Sequence, residues 1–106
     1  MTYLKTKDQL YPATFTGRVR DDSWSGRGSK TITLEITYDE AIALFVDGLE
    51  WSIVEQYDTG TVEYDNSAYV VAGSITDNRN GTCSCKMGKK TASDILAELE
   101  AAYDGE

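Results

Sequence analysis

The sequence predicts an α+β domain: an antiparallel sheet of four to five strands, with a short buried helix over about residues 38–47 and a C-terminal helix over about residues 91–103 packed on it. Three observations carry this expectation. Apolar and polar residues alternate through Ala13–Arg20, Lys30–Thr37 and Cys83–Met87, which is the period of a half-buried strand. Thr37-Tyr38-Asp39-Glu40 has the Ser/Thr-x-x-Glu form of a capping box immediately ahead of an apolar cluster. Ile95, Leu99, Ala102 and Tyr103 recur at helical spacing, with Leu96 beside them and Glu98, Glu100 and Asp104 turned away.

Residues 1–106 form a single domain, because a chain this short supports one modest core, and residues 1–12 read as a flexible N-terminal segment that ends at the only proline, Pro12. The first strand then places Phe15, Gly17 and Val19 opposite Thr14, Thr16, Arg18 and Arg20. Asp21 to Ser29 has loop composition, so this strand and Lys30–Thr37 are expected to form a hairpin joined by a long mobile loop. The helix at 38–47 carries Ala41, Ile42, Leu44, Phe45 and Val46 around more than one face, which predicts deep burial, and Gly48 is placed to end it in the left-handed conformation.

Trp51–Tyr57 reads as a strand, and Thr61–Tyr64 continues it across a turn at Asp58-Thr59-Gly60. The arms Ala68–Ile75 and Cys83–Met87 form a second hairpin whose loop length follows from matching their apolar faces. A two-residue Asn80-Gly81 turn would set Ile75 against Lys86. A three-residue loop, Arg79-Asn80-Gly81, pairs Asn78 with Thr82 and Ile75 with Cys85 and is therefore preferred. Either Thr91 or Ser93 can cap the last helix.

Charge is segregated along the chain. Residues 1–37 sum to +2, residues 38–76 to -8 and residues 77–106 to -2, so the middle third equals the whole formal charge of -8. From Thr31 to Asn78 there are ten acids and no Lys or Arg. Such a surface repels nucleic acid and acidic membranes and attracts cationic partners. The longest apolar run, Ala41–Val46, is far shorter than the roughly 20 residues of a membrane span. The N-terminal residues lack the pattern of a secretory signal, so the expected location is cytoplasmic, or the virion if the chain is a phage component. Asn80-Gly81-Thr82 is then a turn rather than a glycosylation site.

Chemistry is sparse. With no histidine, the commonest general base and metal ligand are missing, along with Ser-His and Cys-His nucleophile arrangements. Asp39/Glu40 and Glu63/Asp65 are close carboxylate pairs of the kind expected by chance among many acids, and they match no hydrolase or EF-hand spacing. Gly28-Ser29-Lys30-Thr31 fails as a phosphate-binding loop, since Ser29 separates the glycine from the lysine and a strand follows. Cys83 and Cys85, two apart on one strand, would have Cα atoms about 6.5–7 Å apart, the outer limit for a disulfide, and read as buried structural thiols. No catalytic, cofactor or metal residue is assigned.

Trp24 is the strongest candidate for an interaction, flanked by Ser and Gly with Arg18, Arg20, Arg27 and Lys30 nearby. Its competing reading is a ring folded back over the sheet. Nucleic acid is disfavoured as its partner because Asp21 and Asp22 offset the local positive charge.

The run from Tyr38 through Asp47-Gly48-Leu49-Glu50-Trp51-Ser52-Ile53, followed by Tyr64-Asp65-Asn66-Ser67, Val71–Thr82 and Lys86-Met87-Gly88-Lys89, resembles small uncharacterised proteins of phages and prophages of gut Firmicutes. The likeness covers roughly residues 30–90 and implies a virion-assembly role, with no functional residue to carry over. The expected function is noncatalytic protein association, with another protein or by self-association. The alternative is an acidic inhibitor or nucleic-acid mimic acting on a host protein, and the second alternative is a small carboxylate-dependent enzyme.

Overall fold

The computed structural model describes residues 1–104. Its elements are β1 (Thr2–Lys5), β2 (Leu10–Asp21), a 3-10 turn (Asp22–Trp24), β3 (Arg27–Leu34), α1 (Tyr38–Leu44), β4 (Ser52–Tyr57), β5 (Gly60–Asp65), β6 (Val71–Asp77), β7 (Cys83–Gly88) and α2 (Ala92–Asp104). The strands form one antiparallel sheet in the order β5-β4-β1-β2-β3-β7-β6.

This corrects the expected α+β architecture of four to five strands with two packed helices: the fold is mostly β, with seven strands and two short helices. The count differs for a local reason. Residues 1–12, expected as a flexible segment, supply β1 and the start of β2, and β1 lies inside the sheet between β4 and β2. Four residues, Thr2-Tyr3-Leu4-Lys5, are too few to display a period, but pairing on both sides satisfies their backbone groups and leaves Leu4 fully buried.

β2 is the strand shared by the two wings. Leu10, Tyr11 and Pro12 pair with β1, and Ala13 onward pairs with β3. Pro12, with no N–H to give to a ladder, stands at the handover. On the inner face the register aligns Ala13 with Leu34 and Cys83, and Phe15 with Ile32 and Cys85. Leu4, Trp51, Ala41, Phe45 and Met87 complete the buried cluster. Trp51 joins the wings: its ring stacks on Phe15 at 6.0 Å between centroids, and its indole N–H donates to the Tyr69 carbonyl at 2.9 Å.

The second hairpin has the three-residue loop. Asn78 N–H donates to the Thr82 carbonyl at 3.0 Å, Ile75 pairs with Cys85, and Gly81 takes a φ of 87°. A bulge between Ala72 and Ile75 then shifts the register, so Ala72 rather than Gly73 stands opposite Met87.

α1 begins as read, with the Thr37 hydroxyl accepting from Glu40 N–H and the Glu40 carboxylate accepting from Thr37 N–H. It is shorter than 38–47 and less enclosed. Ala41 and Phe45 are buried against the sheet, but Ile42 and Val46 stay about half exposed, because the helix rests on β6 and β7 with nothing over its outer side.

Leu4→Ala is expected to cost about 2–5 kcal/mol in urea unfolding, the range for emptying a core site. A change within about 0.5 kcal/mol, as at a surface position, would show that β1 is peripheral.

Candidate functional site

The β2–β3 connection, expected as a mobile loop, is folded down on the outer face of the sheet. Its anchor is Asp21, which is fully buried. The Asp21 carboxylate accepts from the Lys86 ammonium at 2.8 Å, from Ser23 N–H and hydroxyl, and from the Ser29 hydroxyl. Lys86 and the Ser23 donors hold this carboxyl well below the usual range, against the opposing effect of burial.

Trp24 lies over the sheet in a slot made by two glycines. A Cβ at Gly73 would meet the Trp24 ring at 2.8 Å and the Lys86 carbonyl at 3.1 Å; one at Gly88 would meet the ring at 2.8 Å and the Arg27 side chain at 2.7 Å. Arg27 covers the ring from 4.8 Å, donates through Nε to the Trp24 carbonyl, and forms an ion pair with Asp94 at 2.8 Å. Trp24 and Arg27 are therefore brought together, as packing partners. Arg20 pairs with Asp22 on the surface, and Arg18 is exposed. Trp24 itself is only partly covered. No sequence period marks Gly73 and Gly88 as a slot, since their partner, Trp24, is 49 and 64 positions away.

The residues that sequence reasoning missed as a site belong to α2. Among the described residues that helix is tied down in its first two turns: Asp94 accepts from Thr91 N–H and pairs with Arg27, and Lys90 pairs with Glu98. The Thr91 N–H, with Arg27 in support, keeps the Asp94 carboxyl below its usual range. The apolar face of the helix is open, with Ile95 48%, Leu96 56% and Leu99 60% exposed. This corrects the expectation that the helix packs on the sheet. Ala102 and Tyr103, expected to extend that face, and Asp104 on the opposite side lie outside the residues whose side chains are described. Between α2 and the chain at 47–50 and 70–71 runs an open cleft of about 640 Å³, with Val70 and Val71 beside the carboxylates of Asp47, Glu50, Asp94 and Glu98.

No protein family, curated protein or solved structure matches this chain. The site is thus read from its own geometry.

The acids between Thr31 and Asn78 are largely engaged in caps, turns and pairs. Glu40 closes the α1 cap, Asp47 accepts from Ala72 N–H, Glu55 accepts from Tyr57, Glu63 pairs with Lys5, Asp65 accepts from Ser67, and Asp77 accepts from Arg79 N–H. Among the described residues no three His, Cys, Asp or Glu side chains are grouped to hold a metal ion. Cys83 and Cys85 are free and buried, and burial pushes the Cys85 thiol up to about 12, which leaves it protonated and unreactive at neutral pH. No helix is long and apolar enough to cross a membrane.

Gly73→Ala and Gly88→Ala are each expected to displace Trp24, destabilising the fold by about 1–3 kcal/mol and shifting tryptophan emission to the red. Asp21 sets an acid limb. Its folded value is depressed, so its contribution is complete above the ordinary carboxylate range near pH 3.9 and is lost as pH falls below it. The stability difference between the wild type and Asp21→Asn is therefore widest at neutral pH and narrows with acidification, a trend that urea titrations at a series of pH values will follow.

Proposed function

We propose that this protein is a noncatalytic association module whose docking element is α2, and that its partner is another protein presenting an apolar surface edged with lysine or arginine. The observation that carries this reading is the exposed Ile95, Leu96 and Leu99 face on a helix whose ion pairs among the described residues are Arg27–Asp94 and Lys90–Glu98. Three large aliphatic side chains side by side are costly to leave in water, at roughly 25 cal/mol per Å² of apolar area removed on docking.

Charge selects the kind of partner. Residues 92–101 carry Asp94, Glu98 and Glu100 and no cation; Arg27 and Lys90 counter the first two, which leaves Glu100 and the net charge of -8 to oppose a second copy. A cationic partner meets opposite charge there and at Glu50 beside the cleft. The resemblance of residues 30–90 to phage proteins gives such an association a natural setting in particle assembly.

The acidic-mimic reading has less behind it. Phosphate mimicry needs free carboxylates at regular spacing, and six of the ten acids between Thr31 and Asn78 are engaged in caps, turns and pairs.

The test uses an amphipathic helical peptide of leucine and lysine as the probe, followed by fluorescence anisotropy. Binding is expected to weaken about tenfold or more, some 1.4 kcal/mol or above, in Leu96→Ala/Leu99→Ala. Those exposed substitutions should leave stability within about 0.5 kcal/mol of the wild type. Equal binding by both proteins would overturn the docking role of α2, and a stable dimer in light scattering at low salt would replace the cationic partner with a second copy.

A further inference from the structure

Among the described residues, five of the ten Lys and Arg side chains are in ion pairs: Lys5, Arg20, Arg27, Lys86 and Lys90. Lys30 and Lys89 are in none among the described residues, although the chain has 18 acids. These two converge. Lys30 stands on the inner face of β3 opposite Met87, and Lys89 continues the same face just past β7, its N–H donating to the Gly28 carbonyl at 2.9 Å. Both ammonium groups lie over the ring of Tyr69, 4.8 Å and 5.2 Å from its centre, and so are no more than about 10 Å apart.

The arrangement is held from below. Lys30 donates to the side-chain oxygen of Asn66, which is itself buried. Asn66 is fixed in turn, its side-chain amide donating to the Tyr64 carbonyl at 2.9 Å and its N–H to the Trp51 carbonyl at 2.9 Å. Burial, then the charge of Lys89, pushes the Lys30 ammonium below its ordinary value. Two cations kept close without a counter-charge repel one another, and an anion bearing two or more oxygens removes that repulsion by accepting from both.

We propose that Lys30 and Lys89, oriented by Asn66 and Tyr69, form a binding site for a phosphate group. Lys89 is exposed and Lys30 half-buried, so the group enters from solvent on the Lys89 side. The site is separate from the apolar face of α2 and stands whether or not that face docks a partner.

The experiment is thermal unfolding of the full chain in orthophosphate, pyrophosphate and phenyl phosphate against sodium chloride at matched ionic strength, with affinities from isothermal titration calorimetry. A ligand that binds only the folded state raises the melting temperature with its concentration. The expected result is a saturable rise for the wild type and an affinity lower by about tenfold or more in Lys30→Gln/Lys89→Gln. Lys7→Gln/Arg79→Gln removes the same charge elsewhere and is expected to keep the wild-type response. A larger effect of phenyl phosphate than of orthophosphate assigns the site to esterified phosphate, and the reverse assigns it to the free ion. No saturable rise in the wild type, or equal loss in both double variants, would overturn the proposal.

Discussion

Trp51 is the residue on which the rest of the structure depends, because it ties together two wings of sheet that share only the strand β2. Its ring stacks nearly parallel on Phe15, with 5° between planes, and meets Tyr69 at 54°. Its indole N–H and its carbonyl are both taken, by the Tyr69 carbonyl and by Asn66 N–H. A large apolar ring with one polar handle can bury its area only where that handle finds an acceptor, so the segment at 66–69 must sit where it does. Asn66 and Tyr69 then fix the two lysines above them.

The outer face is governed by a second constraint of the same kind. A buried carboxylate is tolerated when charge and hydrogen bonds replace the lost water, and Asp21 has Lys86 and two serines to do so. With Asp21 fixed, the turn that follows delivers Trp24 onto Gly73 and Gly88, and Arg27 from the ring to Asp94 at the start of α2. The aromatic that the sequence offers as a contact for other molecules is thus consumed in anchoring the molecule's own last helix. The helix itself keeps Ile95, Leu96 and Leu99 exposed beyond that anchor.

Several elements were legible in the sequence because their signals are local. The capping box at Thr37 and Glu40, the alternation at 13–20 and 83–87, and the matched faces of the last hairpin each need only neighbouring residues or one turn to interpret. The four residues of β1 carry no such signal, and the bulge after Ala72 reverses which residue faces inward without any mark in composition. The reading of the candidate site was less complete. Trp24 was visible as an unusual residue, but its fate depends on glycines at 73 and 88.

By itself, the sequence determined the caps, the turns, the thiols on an inward strand face and the negative charge of the middle third, all of which follow from residue type and short-range spacing. Tertiary structure alone decided that residues 2–5 are interior, that Trp24 is a packing residue, that the acidic third spends most of its carboxylates on caps, turns and pairs, and that the Ile95, Leu96 and Leu99 face of α2 is exposed. Helical spacing records that a face is apolar. Whether that face is covered depends on the position of every other element, and here the buried cluster holds Leu4, Trp51 and Met87 and includes no residue of α2.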